Sequence, residues 1–178
     1  MTASSGSPGS SGTVGLGQRV HLLLRAEGAT VATAESLTGG RLATRLTDVP
    51  GASETYLGGA VTYATQLKVA MLGVSEDLVA DHGVVSPECA EAMASGVRAL
   101  TGATYGLATT GVAGPEPQED QPVGTVYIGV AGPGFVGSVP LSLSGNRTNI
   151  QEEACTAALS ALEARLIEAE GAQLAVAE

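Results

Sequence analysis

Apolar and polar positions along this chain follow two periods, and the switches between them mark out its elements. Between residues 14 and 27, Val20, Leu23 and Leu24 fall on one helical face, and Gly28 closes the helix. Residues 29–34 (ATVATA) form a short strand that runs straight into a turn at Ser36. A helix follows through Arg41, Ala43 and Leu46 and stops before Pro50-Gly51. Residues 57–64 read as a second strand, 65–72 as a short helix and 75–82 as another. Ser86 is a good N-cap for a helix over 87–100, with Pro87 in its first turn. Residues 103–110 form a buried strand ending in Thr110-Gly111-Val112-Ala113-Gly114-Pro115, followed by an acidic, proline-punctuated loop over 116–122. Segments 123–131 and 135–143 pair as a hairpin around Gly132-Pro133-Gly134. The last helix spans about 148–170, with Ile150, Ala154, Ala157, Ala158 and Leu162 on its apolar face. Strands that first alternate with helices and then pair as a hairpin predict an α/β fold, a mixed sheet covered by helices on both faces.

Residues 1–13, a Ser/Gly-rich run, are expected to be a disordered tail. Residues 14–170 form a single domain, and 171–178 a C-terminal tail. With 44% hydrophobic but only 3% aromatic residues, the core is built from Ala, Val and Leu. The net charge of −10 leaves no basic stripe for nucleic acid, so none is expected as a partner. Cys89 and Cys155 have no framework spacing and read as free thiols in a reducing cytoplasm. His21 and His82 are too isolated for a metal site. Neither a membrane span nor a signal peptide is visible, so no membrane association is expected.

Chemistry centres on Lys68, the only lysine; the other basic side chains are arginines. Arginine keeps its proton, whereas lysine loses its own in a dry enough site. The bland alternative is that one lysine survived a composition bias by chance. A serine nucleophile with a neutral lysine base is one known route to amide cleavage. If Thr65 caps its helix, Lys68 falls in the first turn, where the macrodipole disfavours a cation. That term supplies only about 0.3–1 kcal/mol, so burial must do most of the work. Ser36 begins a strand-to-helix turn in which Thr38, Gly39 and Gly40 offer backbone N–H groups to an oxyanion or phosphate. An ordinary N-cap serine with a packing glycine pair is the structural alternative. Tyr63 is either a proton relay or a sheet-edge aromatic. Thr110 and Gly111 end a strand where open α/β sheets bind ligands, although a tight turn also needs such glycines. Arg147 sits at a strand-to-helix junction, as a phosphate clamp or a surface turn residue.

Taken together, ATAESLTGG (32–40), TDVPGAS (47–53), GGAVTYATQLK (58–68), LGV (72–74), HGVVS (82–86), TGVAGP (110–115), QPVGTVY (121–127) and SGNR (144–147) resemble the CinA C-terminal domain family, the bacterial nicotinamide mononucleotide (NMN) deamidases. The resemblance covers about residues 15–167. It implies a three-layer α/β/α domain that hydrolyses NMN to nicotinate mononucleotide and ammonia, without metal or cofactor, as a cytoplasmic homo-oligomer. By matching motif, Ser36 is similar to the nucleophile, Lys68 to its base and Tyr63 to an assisting tyrosine. Thr38, Gly39, Gly40, Thr110 and Gly111 resemble substrate-binding and oxyanion elements, and Arg147 the arginine near the phosphate. The chain lacks the large N-terminal domain of many relatives, which implies the stand-alone form. Leu37 stands where members often have cysteine. Gln121 and Gln151 stand where lysine and arginine are common, which puts substrate identity in question. A related amidase on another small amide is one alternative. A non-catalytic nucleotide-binding or interaction protein linked to competence or DNA damage is another.

Overall fold

A computed structural model describes residues 14–176. Five strands form one sheet in the order β2-β1-β3-β4-β5: β1 (Val31–Glu35), β2 (Tyr56–Val61), β3 (Tyr105–Gly111), β4 (Thr125–Gly132) and β5 (Phe135–Ser142). β1 pairs in parallel with both β2 and β3, while β4 and β5 continue the sheet antiparallel. Six helices flank it: α1 (Leu16–Glu27), α2 (Arg41–Thr47), α3 (Thr65–Leu72), α4 (Glu76–His82), α5 (Pro87–Thr101) and α6 (Arg147–Val176). This is the mixed-sheet, three-layer α/β/α architecture expected.

The two-residue period of the strands sorts side chains between two cores. On one face Val31, Leu107, Val126 and Ile128 pack with Leu24 of α1, Leu42 of α2 and Leu159 of α6. On the other, Ala32, Ala34 and Ala108 meet Cys89, Met93 and Val97 of α5 and Leu72 of α3. The second face is built from small residues because α5 lies almost on the backbone. A Cβ at Gly106 would stand 2.0 Å from the Ala94 carbonyl oxygen, and one at Gly129 2.0 Å from that of Ala90. Either would have to push the helix off the sheet.

β2 ends at Val61, earlier than the expected residue 64: Thr62 N–H still donates to the Glu35 carbonyl, but Glu35 is the last residue of β1, so no partner strand continues beyond it. The final helix continues to Val176 rather than stopping at 170, so residues 171–176 are helical and not a tail. The Ser/Gly-rich run 1–13 lies outside the described residues. No described helix is long and apolar enough to cross a membrane.

The connection after β1 runs outward to β2, while β3 continues the other way to β4. The carboxyl ends of β1 and β3 therefore border the crevice where such a sheet reverses its strand order, the usual ligand position in open α/β sheets. Ser36 and Thr110 stand there.

Candidate active site

Ser36 is the first residue beyond β1, and its N–H donates to the Thr109 carbonyl of β3 at 3.0 Å. Lys68, in the first turn of α3, is 1% exposed and reaches back across 32 residues. Its Nζ lies 3.0 Å from Ser36 Oγ, 2.7 Å from the Thr62 carbonyl oxygen and 3.4 Å from that of Tyr63. Burial pushes the amine below its ordinary lysine value, opposed by the field of nearby Cys89 and Glu119. A neutral amine has two protons and one lone pair. Given to the two carbonyls, those protons leave the lone pair facing the Ser36 hydroxyl.

The turn after Ser36 differs from expectation. Its helix end is filled by the chain's own carboxylate, Glu35, at 1% exposure. Glu35 Oε2 accepts from Thr38 Oγ1 (2.7 Å), Gly40 N (2.9 Å) and Leu42 N (3.0 Å), and Oε1 from Ala43 N (2.8 Å). Gly39 N donates to the Ser36 carbonyl at 3.2 Å. The Gly39 and Gly40 N–H groups are thus spent internally, and Thr38, fully buried, also meets Thr109 Oγ1 at 2.8 Å. None of the three lines the cleft. The expectation of an anion-binding role for Thr38, Gly39 and Gly40 is corrected accordingly. The glycines serve the backbone: φ of +58° and +97° are left-handed values that side chains disfavour. On the far side, Gln151 Nε2 donates to the Leu37 carbonyl at 2.6 Å while buried, a turn support rather than a phosphate ligand.

The opposite wall comes from β3 and its loop. Thr110 Oγ1 donates to the Val84 carbonyl at 2.6 Å and so presents only lone pairs inward. Arg147 opens α6 at the mouth, donating to the Gly114 carbonyl and the Tyr63 phenol, each at 2.7 Å. Tyr63 is 58% exposed. Its phenol therefore bonds Arg147 rather than the Ser36–Lys68 pair, and only its main-chain carbonyl touches the lysine. Ser36, Tyr63, Lys68, Thr110, Gly111 and Arg147 all line a cleft of about 100 Å³. A larger hollow, about 420 Å³, lies at the other end of the sheet near Glu27 and Arg165 and contains none of them. No described group of three or more His, Cys, Asp or Glu side chains is placed to hold a metal ion.

Sequence reasoning missed Glu35 and Glu119 as parts of this site. Glu35 had a signal: a carboxylate closing a strand buried at every position must be hydrogen-bonded. Glu119 Oε2 accepts from Val84 N (2.8 Å) and Val85 N (3.1 Å), some 35 residues away, and nothing local announces it.

A parallel-then-antiparallel α/β/α sandwich with a serine at a strand end hydrogen-bonded to a buried lysine defines the class. The family description "CinA C-terminal domain" matches residues 14–166, and the chain belongs to that family. It is 58% identical over 137 residues to a "CinA-like protein" of Frankia casuarinae, covering 77% of this chain and 32% of that one. It is 47% identical over 152 residues to a "CinA-like protein" of Desulforapulum autotrophicum, covering 84% and 36%. The chain thus spans about a third of the length of these relatives. Among solved structures, a competence-damaged protein (CinA) superfamily protein from Klebsiella pneumoniae superposes with a TM-score of 0.84 at 34% identity, covering 86% and 96% of the two chains. One from Escherichia coli gives 0.81 at 30%, covering 85% and 88%.

Proposed function

We propose that this domain is a metal-independent amidohydrolase that deamidates NMN. The observation that carries the reading is the 3.0 Å contact between Ser36 Oγ and the buried Lys68 Nζ, whose burial favours the neutral amine. Ser36 Oγ attacks the carboxamide carbon as Lys68 takes its proton. The tetrahedral adduct collapses, the lysine proton passes to the departing nitrogen, and ammonia leaves a nicotinoyl ester on Ser36. Water, deprotonated by the same amine, then attacks the ester; the proton returns to Ser36 Oγ and the carboxylate is released. Thr110, its own proton committed to Val84, accepts from the carboxamide NH2 and holds it in orientation. Tyr63 supports the pair through its carbonyl and Arg147 through its phenol.

The carboxamide end of the ring enters this cleft beside Ser36 and Lys68. The ribose phosphate then lies at the mouth, where Arg147 is the cleft-lining arginine. On a chain of net charge −10, a local cation is what draws a dianion in. A homo-oligomer in the cytoplasm belongs to the same reading.

The test is ammonia release from NMN with no metal added, beside NAD and nicotinamide. Arg147→Ala is expected to lower kcat/KM for NMN by roughly 1.5–3 kcal/mol, the range for a hydrogen bond to a charged group. Nicotinamide riboside, lacking the phosphate, should be used poorly and be almost indifferent to that change. Equal losses on both substrates would place the phosphate elsewhere. Preference for the riboside would favour the second reading, an amidase for another small amide, to which the acidic Glu116 on the same cleft lends weight. No turnover of any amide would leave the non-catalytic binding role.

A further inference from the structure

Glu119 stands out because its backbone position is unfavourable. It and Asp120 occupy left-handed conformations, φ +51° and +58°, at the tip of a two-residue turn. Gln118 and Gln121 close that turn by exchanging N–H···O bonds of 3.2 and 2.8 Å. Neither turn residue is glycine, the residue that takes left-handed backbone without a steric penalty. Such outliers persist where surrounding contacts hold them. Here the contact is the Glu119 carboxylate, seated on the consecutive N–H groups of Val84 and Val85. Both valines line the cleft, and the Val84 carbonyl accepts the Thr110 hydroxyl. One carboxylate thereby ties the acidic loop, the Gly83–Ser86 segment and the end of β3 into a single wall facing Ser36 and Lys68.

We propose that Glu119 is a positioning residue for the Ser36–Lys68 pair: its carboxylate, seated on the Val84 and Val85 N–H groups, fixes that wall of the cleft and places a negative charge behind it, on the same cleft that Lys68 lines. The inference rests on the serine–lysine reading for its catalytic consequence, but not for its electrostatic one. Two ionisable groups act on Lys68 through space, Cys89 from α5 and Glu119 from the loop. Burial pushes the Cys89 thiol up to about 11, so it is neutral across the physiological range. That leaves the carboxylate as the working charge of the two. The remaining ionisable groups on the cleft are Glu116, Tyr63 and Arg147, and Arg147 opposes it. Burial alone would make Lys68 a weak base; the Glu119 field restores proton affinity, so that the amine can take the serine proton and still give it up.

The single lysine makes the test direct. Protein labelled with carbon-13 at the lysine ε position shows one lysine resonance, that of Lys68, whose titration is followed in the intact chain without turnover. Glu119→Gln keeps an oxygen acceptor for Val84 and Val85 but removes the charge; Glu119→Ala removes both. In both variants the titration midpoint should move to lower pH, and in Asp120→Asn it should stay nearly in place. The rising limb of kcat against pH should follow the resonance. KM for NMN should rise on the order of tenfold in Glu119→Ala and less in Glu119→Gln, which retains the tie. A midpoint unchanged in Glu119→Gln, or moved equally by Asp120→Asn, overturns the proposal. Should Lys68→Arg keep full activity, the serine–lysine reading fails, while the Lys68 resonance in Glu119→Gln still decides the electrostatic claim.

Discussion

Two ionisable side chains, Glu35 and Lys68, flank Ser36 at 1% exposure each, and the chain treats them in opposite ways. Glu35 sits at the start of α2, where the helix end favours an anion, and accepts three backbone N–H bonds and one from a hydroxyl. Lys68 sits in the first turn of α3, where the helix end disfavours a cation, and burial lowers its proton affinity. The carboxylate region is satisfied by four donors; burial in the amine region works against the charged form. One fixes geometry and the other is available for proton transfer. Burial alone distinguishes neither.

The comparison breaks first at turnover. Ser36→Ala and Lys68→Arg are each expected to cut the initial rate of ammonia release by about 10⁴-fold or more, with circular dichroism unchanged. Arginine preserves charge but cannot accept the serine proton. Next comes stability. Glu35→Ala leaves four donors without their acceptor and should cost roughly 3–5 kcal/mol in urea unfolding. Glu35→Gln, keeping one oxygen but turning an NH2 toward backbone donors, should cost less, about 1–3 kcal/mol by the same reasoning. If Glu35→Ala unfolds at the parent's urea midpoint, the two charges are not opposites.

The smallest effect is the most diagnostic. Burial holds the Lys68 amine below its ordinary value, so between that lowered value and about 10.4 the unfolded chain binds a proton the folded chain does not. This group's contribution to stability therefore rises with pH across that window. Lys68→Met removes it. The stability of Lys68→Met relative to the parent should be greatest at the acid end and shrink toward pH ~10. Urea midpoints of the two proteins from pH 6 to 10 provide the check, and a constant difference would mean the amine is not perturbed.

Much of the fold was legible because glycine and proline punctuate it. Gly28 closes α1 and Ser86-Pro87 opens α5, as expected. The pairing of Ser36 with Lys68 was legible through the motifs that resemble the family; the single lysine alone was equally a product of composition. What the sequence concealed was the destination of backbone donors. Gly39 and Gly40 look like an anion site on paper, but a carboxylate five residues before Gly40 already occupies it. Periodicity reports which face a residue takes, not which N–H it meets. The Glu119 contact, spanning 35 residues through a left-handed turn, lies beyond any local pattern. α6 overran its expected end because no proline or C-terminal cap stops it near residue 170, Gly171 notwithstanding.

A chain with one lysine offers a lysine-specific protease one bond, that between Lys68 and Val69, and here it lies inside α3 with its side chain sealed from water. Digestion must wait until this corner of the molecule opens, and the cut then yields just two pieces, 1–68 and 69–178. When reclosing outpaces cleavage, the rate of that single cut measures the population of the open form. A ligand that closes the cleft should slow the cut in proportion to its occupancy, so the same residue reports binding to anyone holding a gel and a protease.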